Sequence, residues 1–232
     1  MLEIDDLHVG YYRDLSILQG VSIAAEQGRI TAILGANGVG KSTLLKAVFG
    51  FLSPEQGSIR FEGAELVGTP PHRMITKGIS YIPQQPGIFP EMSVEENLMM
   101  GAWPYRGDRS RMQEKLERNY EWFPALREKR RQKAGELSGG QQRMVEIARA
   151  LMCDPRLMLV DEPSAGLAPL LSRDVYTMLE SLKDEGLTIV LVDQDVTRAL
   201  EIADFVYVLD LGKNRFAAPA SRIEEIRAAV WS

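Results

Sequence analysis

Cysteine is nearly absent from this chain. Cys153 is the one thiol in 232 residues, which excludes an intrachain disulfide and fits a reducing compartment. In the run Ala150-Leu151-Met152-Cys153 it reads as core filling rather than as a reactive thiol. Long apolar runs are missing too: no stretch approaches the ~18–20 residues that a bilayer-spanning helix needs, so any transmembrane pathway must come from other polypeptides. Met1-Leu2-Glu3 does not open a signal peptide. The net charge of −5 lacks the basic surplus of a bulk nucleic acid binder. No internal repeat, low-complexity tract or long linker interrupts the chain. The 45% hydrophobic and 25% charged composition that remains suffices for one large α/β unit carrying an inserted subdomain.

Two fragments almost a hundred residues apart carry the chemistry. Gly35-Ala36-Asn37-Gly38-Val39-Gly40-Lys41-Ser42-Thr43 fits G-x-x-x-x-G-K-[ST], between an apolar strand at Ile30 to Leu34 and a helix at Ser42 to Phe49 that Gly50 stops. Its glycines let backbone N–H groups converge on the α- and β-phosphates at a helix N-terminus carrying roughly +0.5 charge. Lys41 is suited to the β/γ oxygens and Ser42 to Mg²⁺. A glycine turn that merely joins strand to helix is the bland alternative, and strand, loop, Lys-Ser pair and helix agree against it. The second fragment, Leu137-Ser138-Gly139-Gly140-Gln141-Gln142-Arg143, has no evident ligand within its own subunit unless two copies meet. Together the two suggest a dimeric ATPase.

A second apolar run, Leu157 to Val160, ends in Asp161-Glu162-Pro163, and ligands of open α/β sheets collect at such strand ends. Asp161 is suited to hold Mg²⁺ and Glu162 to polarise the water that attacks the γ-phosphate. Alone, the dipeptide would read better as an acidic helix cap; paired with the upstream loop, that reading becomes the minor one.

The loop at 35 to 43, Gln84 in Tyr81-Ile82-Pro83-Gln84, LSGGQQR at 137 to 143 and LMLVDEP at 157 to 163 stand in the order and spacing of ABC-type ATPase subunits, which the chain resembles over essentially its whole length. The resemblance implies ATP and Mg²⁺ sandwiched between two antiparallel copies, with the signature turn of one closing over the γ-phosphate held by the other. It makes Gly35, Asn37, Gly38, Gly40, Lys41, Ser42 and Thr43 the phosphate cradle, and Ser138, Gly139, Gly140 and Gln141 the partner's lid. Ser138 offers a hydroxyl, the two glycines allow close approach, and a helix beginning near Gln141 aims its positive end at phosphate. Glu162, Gln84 and Gln194 take catalytic places; Ser42, Gln84 and Asp161 take metal places. Tyr11 falls where these ATPases stack a ring on adenine, with Tyr12 as its immediate rival and a packed strand tyrosine as the plain alternative.

Two departures from the family pattern matter. Ala168, in Ser164-Ala165-Gly166-Leu167-Ala168-Pro169, replaces the common aspartate of the loop that crosses the dimer seam, so that loop would communicate by backbone and packing. Most ABC ATPases place a histidine after the strand that here is Leu187 to Val192; this chain has Asp193-Gln194-Asp195, and its only histidines are His8 and His72. An amide can donate to a phosphate oxygen but cannot take a proton. Leu191-Val192-Asp193-Gln194, the Ser-Ala-Gly-Leu-Ala-Pro loop, and Ile88-Phe89-Pro90 with Ser93 to Leu98 resemble the shorter ATPase type of branched-chain amino acid importers, although that type often has Glu-Gly-Arg where this chain has Gln84-Gln85-Pro86.

The resemblance implies an α/β fold: a P-loop NTPase, RecA-like core with a mostly parallel sheet and an N-terminal antiparallel β layer (1–84 and 156–232), and an inserted all-α subdomain (85–155), all in one nucleotide-binding domain. Periodicity agrees. Met1 to about Gly28 reads as antiparallel strands closed by Glu26-Gln27-Gly28, and Gly57 to Phe61 as more of that layer. Ser93 and Glu96 form a capping box, Met112, Leu116 and Tyr120 make one stripe before Pro124, and Met144, Ile147, Ala148, Leu151 and Met152 line another. Pro169 to Glu185 reads as a helix with Gly186 at its end, packed through Leu171, Val175, Met178 and Leu182. Leu187 to Val192 and Phe205 to Leu209 read as strands around a short helix with Ala199 and Leu200, and Ser221 to Trp231 as a terminal helix.

The expected partners are a second copy or a homologous ATPase, integral membrane permease subunits and, indirectly, a substrate-binding protein, with no nucleic acid; the expected place is peripheral, on the cytoplasmic face of the inner membrane. Pro86, Ile88, Phe89, Pro90 and Met92, directly after Gln84, suggest a groove receiving a short permease helix, or else a buried loop core. The basic run Arg127 to Lys133 reads as an exposed helix and loop rather than an RNA or lipid site. The competing class is a soluble ABC ATPase acting on nucleic acid or the ribosome.

Overall fold

The computed structural model describes residues 1–12 and 15–231, with the side chains of Tyr12 and Leu15 outside that description. β1 (Leu2–Tyr12) and β2 (Leu15–Ala25) open the chain, then β3 (Ile30–Leu34), α1 (Lys41–Val48), β4 (Gln56–Phe61), β5 (Ala64–Glu65), α2 (Pro71–Met74) and β6 (Ile79–Ile82). α3 (Val94–Gly101), α4 (Arg109–Trp122), α5 (Pro124–Glu128) and α6 (Gly139–Leu151) form the helical stretch. β7 (Leu157–Asp161), α7 (Pro169–Asp184), β8 (Thr188–Asp193), α8 (Val196–Ile202), β9 (Phe205–Asp210), β10 (Lys213–Pro219) and α9 (Ile223–Trp231) follow.

Two sheets result. A four-stranded antiparallel layer runs β2-β1-β4-β5, and a six-stranded sheet runs β10-β9-β3-β8-β7-β6, parallel except for β10 at its edge. The central strands β3, β7 and β8 are buried throughout and mostly apolar because both faces are covered. Alternate residues divide between two cores: Ala32, Met158, Val160 and Leu191 face the helical side, while Ile33, Leu157, Leu159 and Val192 face α1 and the antiparallel layer. Register sets Leu34 opposite Asp193, Asp161 opposite Val192 and Ile82 opposite Val160, so the loops after β3, β6, β7 and β8 gather along one sheet edge.

Several helices differ in detail from their sequence-based outlines. α1 runs one residue earlier, and α6 starts at Gly139 rather than near Gln141 because Ser138 is its N-cap. The Ser93/Glu96 capping box forms. Pro124 closes α4 by starting a new short helix at its own first position. In α7 the buried face is Val175, Tyr176, Leu179 and Leu182, while Leu171 and Met178 are only partly covered. Leu171 instead packs on α6: a Cβ at Gly140 would fall 2.9–3.1 Å from its side chain.

β10 had no sequence-based counterpart. Its Lys-Asn-Arg start is polar because it is an edge strand, and the turn Leu211-Gly212 has both residues at positive φ (43° and 75°), the hairpin geometry that matches strand twist. That turn braces the phosphate loop, since Gly212 N–H donates to the Val39 carbonyl at 3.2 Å.

Candidate functional site

The loop after β3 ends in Gly40, which sits at φ 105° as the N-cap of α1 and makes no side-chain cap bond. α3 and α6, by contrast, are each capped by a serine hydroxyl. The N-terminus of α1 thus has no side-chain acceptor, and its positive end is of the kind that favours an anion. Gly35 and Gly38, at φ 152° and 82°, supply the backbone turns. A Cβ at Gly35 would overlap the Leu209 carbonyl, whereas one at Gly38 would meet open space. Ala36, Asn37 and Gly38 are exposed, and Thr43 is buried. Lys41, also buried, folds over the loop and donates to the carbonyls of Gly35 and Ala36, both at 2.9 Å, with Glu162 Oε1 3.8 Å away. Burial lowers the Lys41 pKa, against the opposing pull of Glu162, Asp193 and Asp161.

At the end of β7 the two carboxylates take different partners. Asp161 accepts from Ser42 Oγ at 2.9 Å on one oxygen and from the Tyr81 hydroxyl at 3.2 Å on the other. Burial raises its pKa, an effect that these two donors partly reverse. Glu162 leaves the strand at φ 43°, a left-handed conformation that costs a non-glycine residue about 1–2 kcal/mol. Its N–H donates to the Val192 carbonyl at 2.9 Å, and Gln84 Nε2 donates to its Oε2 at 2.7 Å. Ser42 and Asp161 offer hard oxygen atoms, the donor type that Mg²⁺ selects. Among the described residues no group of three or more His, Cys, Asp or Glu could hold a metal.

The end of β8 holds a second network. Asp193 Oδ1 accepts from the N–H groups of Gln194 (2.8 Å) and Asp195 (2.9 Å), and its Oδ2 accepts from the Tyr176 hydroxyl, which also lies 3.0 Å from Ser164 Oγ. Burial raises the pKa of both Asp193 and Tyr176. Gln194 is thus fixed by its backbone, with its side chain exposed at the same sheet edge. Tyr81 and Asp193 stand in motifs the sequence shows but had no role of their own there, and Tyr176 stands in none; their parts depend on contacts 17 to 80 residues distant.

The remaining expected residues stand apart from this cluster. Tyr11 is 48% exposed at the end of β1; the Tyr12 side chain, its rival, lies outside the described residues. Ser138 and Gln141 bond each other reciprocally across the first turn of α6, at 3.3 and 3.4 Å. Gly139 lies on the surface beside Leu167, whereas Gly140 is buried, and its missing side chain makes room for Leu171. The 164–169 loop therefore meets the signature turn through packing, with Ala168 giving α7 no side-chain cap.

An apolar groove of about 660 Å³ opens where the β6 side of the sheet meets α3 and α6. Of the five apolar residues after Gln84, Phe89 alone lines it, and Ile88 turns inward onto the helical core. The other walls come from elsewhere, notably Phe49, Phe51, Met100 and Trp103, the last 59% exposed. Tyr81 belongs to this wall and stacks on Phe49 at 5.5 Å, while its hydroxyl reaches Asp161. Cys153 sits at the groove floor, its thiol pushed up to about 12 by burial, as core filling requires.

Comparison with known proteins points the same way. The family profile of ABC transporters matches residues 18–165. The chain is 42% identical to the high-affinity branched-chain amino acid transport ATP-binding protein BraG of Pseudomonas aeruginosa, covering 92% of this chain and 90% of that one. It is 38% identical to the probable branched-chain amino acid transport ATP-binding protein LivF of Archaeoglobus fulgidus, over 97% and 94%. Among solved structures, the ADP conformation of an ATP-binding cassette of an ABC transporter superposes with a TM-score of 0.87 at 31% identity, covering 100% of this chain and 99% of that one.

Proposed function

The chain belongs to the ABC transporter ATPases, a nucleotide-binding, ATP-hydrolysing family, and from that membership we propose that it powers an importer of amino acids, the branched-chain ones foremost. The observation that carries the mechanism is the convergence of Lys41, Ser42, Gln84, Asp161 and Glu162, from three separate strand ends, into one bonded cluster beside an uncapped helix N-terminus. ATP is the substrate. The N–H groups of Gly38 to Thr43 and the Lys41 ammonium hold its phosphates, and Tyr11 stacks on its base. Ser42 and Asp161, with Gln84, would hold Mg²⁺, which when bound neutralises β- and γ-phosphate charge.

Glu162 accepts a proton from water as the water oxygen bonds the γ-phosphorus and the bond to the β–γ bridging oxygen breaks, releasing ADP and phosphate. Gln84 positions that water, and Gln194 donates to a γ-phosphate oxygen. Ser138, Gly139, Gly140 and Gln141 of a second copy or a homologous subunit complete the site from the other side, with Gly140 acting through the packing that lets the turn lie flat. In this reading residues 85–155 move as a helical subdomain on the core formed by 1–84 and 156–232.

The groove beside Phe89 receives a short helix of an integral membrane permease, which places the chain peripherally at the cytoplasmic face; no described helix is long and apolar enough to cross a membrane. Affinity isolation of the tagged chain from detergent-solubilised membranes should recover hydrophobic subunits. Phe89→Asp should lose them while basal ATP hydrolysis stays within about twofold, because the carboxylate is desolvated in the groove and not at the phosphates. Loss of hydrolysis along with the subunits would contradict the groove, and recovery of RNA or ribosomal proteins would favour a soluble ATPase instead.

A further inference from the structure

The segment that follows β6 is gripped from below by one face of α6. Arg143, 2% exposed, donates from Nη1 to the Pro83 carbonyl and from Nη2 to the Gln84 carbonyl, each at 2.8 Å. Its Nη1 also meets Glu146 Oε2 at 2.7 Å. Glu146, equally buried, accepts the Gly87 N–H on its other oxygen, and Arg149 donates to the Gly87 carbonyl at 2.7 Å. A Cβ at Gly87 would stand only 3.3 Å from Glu146 Oε1. Three side chains at helical spacing thus hold backbone groups on both sides of Gln84, whose own amide holds Glu162.

Stability is a poor explanation for this pair. Burial lowers the Arg143 pKa and raises that of Glu146, and a buried ion pair is commonly replaceable by apolar side chains of similar volume without loss of stability. What the pair supplies is direction. The planar guanidinium fixes two successive carbonyls, so the segment cannot reorient independently of α6. The first turn of that helix is Ser138 to Gln141.

We propose that Arg143 and Glu146 are positioning residues for Gln84: they join the Gln84 segment and the signature helix into one body, so that movement of the signature turn shifts the Gln84 amide at Glu162. The proposal rests on the catalytic reading of Gln84 and Glu162. On this view hydrolysis answers to the position of α6 and not to ATP occupancy alone.

The test is the paired variant Arg143→Met/Glu146→Met in the full chain, read by melting temperature, amide hydrogen exchange over 84–88, and kcat against KM. The melting temperature should stay near or above that of the parent. Exchange over 84–88 should accelerate about tenfold or more, and kcat should fall roughly 10- to 100-fold with KM within about threefold, as for a misplaced catalytic group. Turnover within about twofold of the parent, or unaltered exchange, would overturn the proposal. Should the paired variant not fold, Arg143→Lys, which keeps the charge but cannot span both carbonyls, decides by the same kcat and exchange criteria.

Gln84→Ala separates the two layers of the argument. If it turns over like the parent, the reading of Gln84 fails and the proposal falls with it; if it is slow while the paired variant is not, only the clamp fails. Adding Gln84→Ala to the paired variant should cost less than about twofold further, because both changes remove the same contribution.

Discussion

Glu162→Gln is expected to lower ATP turnover by ~10²- to 10⁴-fold, the range for a positioned general base, with nucleotide binding and dimer closure left intact. The substitution is nearly isosteric. The amide oxygen can still accept from Gln84, 2.7 Å away, so the local geometry persists while proton acceptance is removed. The carboxylate is anchored at its backbone as well as at its side chain, since the Glu162 N–H donates to the Val192 carbonyl at 2.9 Å. Single-turnover hydrolysis and equilibrium binding of a nucleotide analogue separate the two effects. A turnover near that of the parent would remove Glu162 from the mechanism.

Lys41→Ala should act on binding instead. The variant deletes the ammonium that folds over the proposed phosphate cradle, and losing a charge-assisted contact of this kind weakens affinity by roughly 10- to 150-fold. Two secondary effects follow from its neighbours. The Gly35 and Ala36 carbonyls lose their shared donor, and Glu162 loses the cation 3.8 Å from its oxygen. Titration calorimetry with a non-hydrolysable analogue reads the affinity directly. Unchanged affinity would mean that the backbone N–H groups and helix end bind the phosphates unaided.

Much of this site was legible in the sequence because its parts are local. Gly35 to Thr43 and Asp161-Glu162 each carry their chemistry in consecutive residues, and the strands before them announce themselves as mostly apolar runs because both faces are buried. The departure at Gln194 was equally visible, since only two histidines exist and neither lies there. What escaped the sequence depends on tertiary approach. Arg143 carried no reading of its own, yet it is 2% exposed because it faces the Gln84 segment 59 residues away. Gly140 read as allowing close backbone approach, and the sequence did not show that its missing side chain also makes room for Leu171. Of the five apolar residues after Gln84 that suggested a groove, only Phe89 lines the one present, and Phe49, Phe51, Met100 and Trp103 join it only after β6 and α6 pack. β10 escaped because it is a mostly exposed edge strand with a polar Lys-Asn-Arg start.

The central claim is that one chain supplies a phosphate cradle and a separate lid for its neighbour, so that a hydrolysing site is composite. Steady-state ATP hydrolysis per chain, measured at saturating nucleotide across dilutions that cross the dissociation of pairs, tests it most directly, with light scattering marking where pairs come apart. The account predicts that the rate per chain falls in step with the paired fraction. A rate that stays constant well below that point would contradict it.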